Sequence, residues 1–407
     1  MLSLMLSFVA LILFSSPAFA CDDMEYWDYP MEMCMPLAMK DMPMTMLMVQ
    51  GNAFGVQSWQ NGPRGREAFA APNMIMADLG TSVADHHYLA MDFMGTVERW
   101  TFPNAGYPEL LQTGEQQANG APYLDAQHPH SSPIMGLTLS DTITLDHDKD
   151  HLKFWFAPRG ESSDGPIAFM HRPTGMVNPD APLGHHIGQD AGHISSTVVG
   201  GALQVSHATL ELSTFNGTEP APSKVDLPMA TPNSYAARLT QQFTSHLFAM
   251  ASAAYVKNPE PNEQVRRYSA SVYADAQTAG WTFHNALIWG LINGYDNTPA
   301  LNSFAEEYCF QKQADSFWGR LEILQRTPAE LDIVDDDVNR GRWITAATLG
   351  YTRQIGHWDS ADLGLGASFT QDYLTGALRS AYGGNPITAR VFLQASGKKM
   401  WDLSSSN

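Results

Sequence analysis

Two groups of side chains in this sequence have the chemistry of metal ligands. The first is methionine. Of 21 methionines, Met24, Met31, Met33, Met35, Met39, Met42, Met44, Met46 and Met48 crowd into one short stretch that also holds Cys34. In Met31-x-Met33-Cys34-Met35 and Met42-x-Met44-x-Met46-x-Met48 the sulfurs recur every second residue. An extended chain with that spacing carries them on one side. Thioethers and thiolates are soft ligands that select Cu(I) or Ag(I) over hard cations. Asp22, Asp23, Glu25, Asp28, Glu32 and Asp41 add negative charge to the segment. Met46 and Met48 also read as the filling of a first strand. The earlier cluster, broken by Pro30, Pro36 and Pro43, has no strand pattern. The candidate soft-metal ligands are therefore Met31, Met33, Cys34, Met35, Met39, Met42 and Met44.

The second group is histidine. Eight of the 14 lie between residues 128 and 193: His128, His130, His147, His151, His171, His185, His186 and His193. Residues 158–193 form a long Gly/Pro-rich segment, and loops of that length in compact domains are functional or disordered. Its scattered apolar residues, among them Ile167, Phe169, Leu183 and Ile187, argue for order. Imidazoles at this density suit Cu(II) or Zn(II), which makes His128, His130, His171, His185, His186 and His193 candidates. The competing reading is a lumen loop whose histidines hydrogen-bond Asp164, Asp180 and Asp190. His185, His186 and His193 do not have the i, i+4 spacing of a helical zinc site, and neither H-E-x-x-H nor C-x-x-C occurs.

The elements that must position these groups are strands. Ala361, Leu363, Leu365, Ala367 and Phe369 alternate with Asp362, Gly364, Gly366, Ser368 and Thr370. The same period of two runs through 387–396, 267–275 and, with Asp141 as the one breach, 137–145. Less regular runs begin near Tyr88, Leu152, Ala208, Tyr235, Leu247, Trp281, Phe304, Phe317 and Trp343. Successive side chains on a strand point to opposite faces, so these are half-apolar sheets. Turn residues at 258–262, 293–297, 335–337 and 383–386 separate them. Runs of about ten residues with aromatics near their ends suit tilted strands crossing a bilayer. The expected fold is all-β: one antiparallel transmembrane β-barrel of roughly 12–14 strands with long His-rich loops. A soluble β-sandwich also alternates, but its strands are shorter.

Residues 1–20 are expected to be an export signal. Met1 to Phe14 is nearly all apolar, and Ala18-Phe19-Ala20 is an A-x-A cleavage site, although no Lys or Arg precedes the apolar run. The bulky Phe19, two residues before Cys21, argues against lipidation of that cysteine. The expected division is an acidic Met-rich segment at 21–48, the barrel at 49–397 and a tail at 398–407. With 23 basic against 42 acidic residues, the formal charge of −19 excludes nucleic acid as a partner and suits cations. Three cysteines are too few for a disulfide scaffold, though Cys21 and Cys34 could pair. No G-x-S-x-G elbow and no phosphate-binding loop is present. Gly356-His357-Trp358-Asp359-Ser360 is the nearest hydrolase-like group, and no catalytic residue is assigned.

Four blocks carry a resemblance: 135–141 (MGLTLSD), 156–161 (FAPRGE), 171–175 (HRPTG) and 185–190 (HHIGQD). With 224–228 and 325–331 they make the chain resemble a family of uncharacterised bacterial outer-membrane proteins, Met- and His-rich and associated with copper and heavy-metal handling. A looser likeness is to copper-resistance outer-membrane protein B, which also joins a Met-rich leader to a barrel. The resemblance implies an outer-membrane barrel that binds or passes metal ions, copper as Cu(I) being the expected cargo, with no other cofactor required. Membrane lipid, metal ions and a periplasmic metal-handling protein are the implied partners. The alternatives are a general porin or structural barrel without a metal role, and an outer-membrane hydrolase.

Overall fold

The computed structural model describes residues 45–404, apart from 84–85, 118, 131, 146–149, 191, 221–223, 228, 260–263 and 295–299. It also gives the backbone of 25–28 and 33–36. The export signal, Met31, Met39, Met42 and Met44, and a Cys21–Cys34 pairing lie outside the described residues. Met33, Cys34 and Met35 are described only as backbone, in a two-stranded hairpin of β1 (Glu25–Asp28) and β2 (Met33–Pro36).

From Thr45 onward the strands other than one separate hairpin build one closed antiparallel barrel. In chain order its wall is β3 (Thr45–Gln60), β4 (Glu67–Ala70), β5 (Asn73–Val83) and β6 (His87–Gly95). After an insertion that contains the hairpin β7 (Tyr107–Gln116) and β8 (Pro122–Gln127), the wall resumes with β9 (Ile134–Thr144) and β10 (His151–Gly160). A second insertion leads to β11 (Ser195–Val205), β12 (Ala208–Asn216), β13 (Ser234–Thr244), β14 (Leu247–Lys257) and β15 (Gln264–Thr278). The wall ends with β16 (Trp281–Asn293), β17 (Leu301–Lys312), β18 (Asp315–Arg326), β19 (Arg342–Trp358), β20 (Ala361–Tyr373) and β21 (Ile387–Asp402). β21 pairs with β3 and closes the circle. β4 and β5 lie end to end along β3, interrupted near Pro72, and count as one strand. The barrel therefore has sixteen strands, an even number like other single-chain bacterial barrels.

The estimate of 12–14 strands is corrected upward by two that hide their period. β5 reads Met74-Ile75-Met76-Ala77, apolar on both faces. β11 carries the pair Gly200-Gly201 and a register shift between Ser196 and Val199, with Thr197 at φ +52°. The closing pair also takes in 45–48 and 398–402, residues that the sequence division gave to the leader and the tail.

Polarity is inverted relative to a soluble protein. The outward residues are apolar and exposed: Phe69 and Leu349 are each 62% exposed, and Leu212, Leu239, Leu365 and Val391 behave alike. The inward residues are polar and buried, including Arg267, Glu307, Arg320, Glu322, Arg326 and Arg390. Outward aromatics pair near both rims. Tyr235 stacks on Tyr255 (ring centroids 5.3 Å apart) and Phe304 on Trp343 (6.5 Å) at one end. Phe283 meets Phe310 (5.2 Å) and Phe317 meets Tyr351 (4.9 Å) towards the other. These are the two girdles of a membrane-spanning barrel.

One rim has short turns such as Ser206-His207 and Ala279-Gly280, together with the first and last residues of the barrel wall. The other rim has the long connections. Two of these, 96–133 and 161–194, fold back inside and plug the lumen. The plug bonds to several strands of the wall. Gly165 N donates to Ser252 Oγ (2.9 Å), Ile167 N to Tyr273 OH (3.1 Å), Asn52 Nδ2 to Met176 O (2.8 Å) and Ser303 Oγ to Ile187 O (2.6 Å). Gly188, at φ +69°, brings the plug so close to β16 that a Cβ there would lie 2.7 Å from Leu291 N.

Candidate metal centre

Five of the six candidate histidines come together where the two plug segments meet. His128 and His130 follow β8, where the first segment turns back to the wall. His185 and His186 sit in a tight turn of the second segment, and His193 lies just before β11. Their rings form a closed circle. Centroid separations run 5.8 Å from His128 to His130, 5.6 Å to His193, 5.1 Å to His185, 4.5 Å to His186 and 5.4 Å back to His128. Nitrogens of His128, His185 and His186 lie within 4.8 Å of one another, as do ligand atoms of His185, Asp190 and His193. His130 belongs to neither group and reaches the cluster through His193; His171 sits in a separate turn of the plug and belongs to neither group either.

The orientation of two rings is informative. His130 Nδ1 lies 2.8 Å from Glu98 Oε2, and His193 Nδ1 lies 2.6 Å from the Asp190 carbonyl oxygen. A ring nitrogen facing an oxygen acceptor carries the hydrogen, so in the neutral rings both Nε2 atoms present lone pairs. Those Nε2 atoms face each other at 3.3 Å. Two lone pairs at that distance repel unless a proton or a cation lies between them. Two nitrogens bound to one tetrahedral metal at roughly 2.0–2.1 Å would be separated by about 3.3 Å. A ligating imidazole whose other nitrogen is held by a carboxylate or carbonyl is the usual outer arrangement of metal-bound histidine.

Burial sets the charge state of three of these rings. Burial, with His130 and His185 beside it, pushes His128 well below the ordinary histidine range. Burial and the neighbouring His185 and His128 do the same to His186. Burial lowers His193 to about 4, against the pull of Asp190. Burial also pushes the Asp190 carboxyl up, but His193, the His185 ring 3.5 Å away and the charge of Arg172 outweigh it and hold it at about 2. At neutral pH His128, His186 and His193 are thus uncharged donors beside a fixed carboxylate. They line a cleft of about 50 Å³ that also touches Met135, Arg159 and Glu219. That is room for an ion with a few waters and too little for an organic solute.

Sequence reasoning passed over Glu98, which lies 32 positions from His130. It also passed over Arg172, which joins Glu307 through two bonds (Nε to Oε2 2.9 Å, Nη2 to Oε1 2.8 Å) and locks the plug to β17. The block that contains Arg172 was visible, but its partner lies 135 residues away. The hydrolase-like group is spread out at the short-turn rim. His357 Nδ1 meets Asp362 Oδ1 at 2.7 Å, and Ser360 Oγ donates to Asp359 Oδ2 at 3.4 Å.

No protein-family model matches the chain. No curated protein matches it in sequence. Solved structures do. An anion-selective porin from Comamonas acidovorans is 9% identical with a TM-score of 0.53, over 87% of this chain and 99% of the porin. Salmonella typhi OmpF, solved with daunomycin, is 8% identical with a TM-score of 0.52, over 87% of this chain and 97% of the other. The fold is that of an outer-membrane barrel. Identities this low carry the fold alone.

Proposed function

We propose that this barrel binds metal ions, copper above all, at the ring of imidazoles inside its plugged lumen, and that it serves metal tolerance or homeostasis from the outer membrane. The observation that carries the reading is the approach of two Nε2 atoms to 3.3 Å while the Nδ1 atom of each ring faces an oxygen acceptor, Glu98 Oε2 or the Asp190 carbonyl. Copper is favoured because two donor sets fit it. Imidazoles suit Cu(II), which also heads the affinity order of the divalent first-row ions, while the Met-rich segment suits Cu(I). A filled lumen speaks for a carrier or gated path rather than a wide solute pore. The acidic, Met-rich segment joins β3 at the short-turn rim, the side that faces the periplasm in outer-membrane barrels. It is there that a periplasmic metal-handling protein would deliver or collect the ion.

The test is a calorimetric Cu(II) titration of the full chain in detergent, beside a His130→Ala/His193→Ala variant. Binding in the micromolar range or tighter, weakened at least ~100-fold in the variant, supports the reading. Equal binding by both removes the ring as the site.

A further inference from the structure

The lumen wall holds a further concentration of sulfur, which begins with Met46 and Met48, the last two methionines of the Met-rich stretch, and extends to other strands. On β3 the inward positions are Met46, Met48, Gln50 and Asn52, with Leu47 and Val49 facing lipid. On β5 they are Met74, Met76 and Asp78, on β6 Asp92 and Met94, and on β21 Met400. The register aligns them in rows. Met400 pairs with Met48, Met48 with Asp78 and Asp78 with Asp92; one row further in, Gln50 pairs with Met76 and Met76 with Met94. Inward positions elsewhere on this wall mix polar and charged residues with larger apolar ones such as Ile288, Leu324, Trp318 and Phe392, and among the described residues Met250 is the one inward methionine on β10 to β20. Here four consecutive wall strands turn thioethers inward, where contact with lipid gives no reason for them.

These methionines fall into two sets. Met74, Met94 and Met135 pack against Phe169 and Met170 of the plug, and Met135 also lines the histidine cleft. Met46, Met48 and Met400 instead line a separate small cleft at the short-turn rim, shared with Asp78 and Asp92. Its volume, about 10 Å³, suits one water-sized occupant. Three thioethers beside two carboxyls offer a soft cation both its preferred donors and compensating charge.

We infer that Met46, Met48 and Met400, with Asp78 and Asp92 beside them, form a binding site for a soft monovalent cation of the Cu(I) or Ag(I) class. It is the entrance to a thioether-lined wall that reaches the histidine ring through Met76, Met94 and Met135. The site rests on the metal-handling reading above, but it has its own residues and its own ligand chemistry. It lies between the Met-rich segment and the ring, where an ion entering from the short-turn rim passes first.

Silver(I) is the probe, because it takes thioethers and is not oxidised in air. The full chain in detergent is titrated beside Met46→Leu/Met48→Leu/Met400→Leu, a replacement that keeps the volume and removes the sulfur. The variant is expected to bind one equivalent of Ag(I) fewer while its Cu(II) binding at the ring is unchanged. Peroxide oxidation, read peptide by peptide, locates the loss. Ag(I) is expected to slow sulfoxide formation at Met46, Met48 and Met400 at least ~5-fold and to leave Met229, in an exposed loop, unaffected. An unchanged Ag(I) count in the variant overturns the site; if Cu(II) still binds the ring, the metal-handling reading survives. Absence of both Ag(I) and Cu(II) binding overturns both.

Discussion

The two sides of the lumen wall hold the plug by different means. On β15 to β21 the grip is ionic. Glu307 receives Arg172 and Thr174 from the plug, Arg320 reaches the Asp180 carbonyl (2.7 Å), Arg326 the Leu183 carbonyl (2.7 Å) and Arg390 the Asp180 carboxylate (2.9 Å). Arg172 and Glu307 are each only 1% exposed. On β5 and β6 the grip is apolar: Met74 and Met94 press on Phe169 and Met170. A buried ion pair fixes position, because either partner left alone is costly. Methionine, with three rotatable bonds and a polarisable sulfur, tolerates repacking. The contrast teaches that the plug is anchored on one side and compliant on the other. The histidine ring lies where plug residues meet the compliant side, next to Met135.

The contrast breaks most visibly at Glu307. Glu307→Ala leaves Arg172 without its carboxylate and Arg320 with Glu322 alone, and loss of one partner of such a buried pair costs about 3–5 kcal/mol. A clearly lower thermal midpoint in detergent is expected, along with higher single-channel conductance as the plug loosens. At the ring, removing the His193 side chain deletes one of the proposed ligands, and the expected loss in Cu(II) affinity is at least ~100-fold by competition titration. Glu98→Gln keeps the volume but takes the charge from the outer partner of His130, and the expected loss is about 10–100-fold.

The pH dependence sharpens the comparison further. Burial lowers His193 to about 4, so the ring nitrogen stays unprotonated well below the ordinary histidine range. Proton competition at His193 should set in only as pH approaches 4, so copper affinity should fall less between pH 7 and pH 5.5 than at a site made of exposed histidines, which would weaken from about 6.5. The stability effect has a definite sign. The unfolded chain takes up protons at this histidine below about 6.5 and the folded one only near 4. Stability is therefore fully present above the unfolded value and is lost as pH falls between the two. The smallest effect belongs to the compliant side. Met74→Leu or Met94→Leu should each cost less than about 1.5 kcal/mol in thermal unfolding, because volume is conserved.

Much of the barrel was legible because lipid enforces a strict period of two on one face. The runs at 361–370 and 387–396 show it without ambiguity, and both place their apolar residues outward. β5 escaped notice because its inward face is also apolar, which is the feature that now marks it. The clustering of histidines between 128 and 193 was visible, but not which of them meet. The circle closes through contacts such as that between His130 and His193, 63 residues apart, and depends on how two insertions fold back into the lumen. His171 has the same composition signal and lies in a different turn, so density alone does not select ligands. Met46 and Met48 read as strand filling; only the phase of the alternation, with Leu47 and Val49 outward, turns them towards the lumen.

The central claim is that imidazoles from both plug segments share one metal ion. The measurement closest to it is electron paramagnetic resonance of the full chain loaded with one equivalent of Cu(II). The account predicts a single species with superhyperfine structure from three or more equivalent nitrogens, collapsing when His130 and His193 are both replaced by alanine. A spectrum of aqueous or all-oxygen Cu(II), or a nitrogen signature that survives that double replacement, would contradict it.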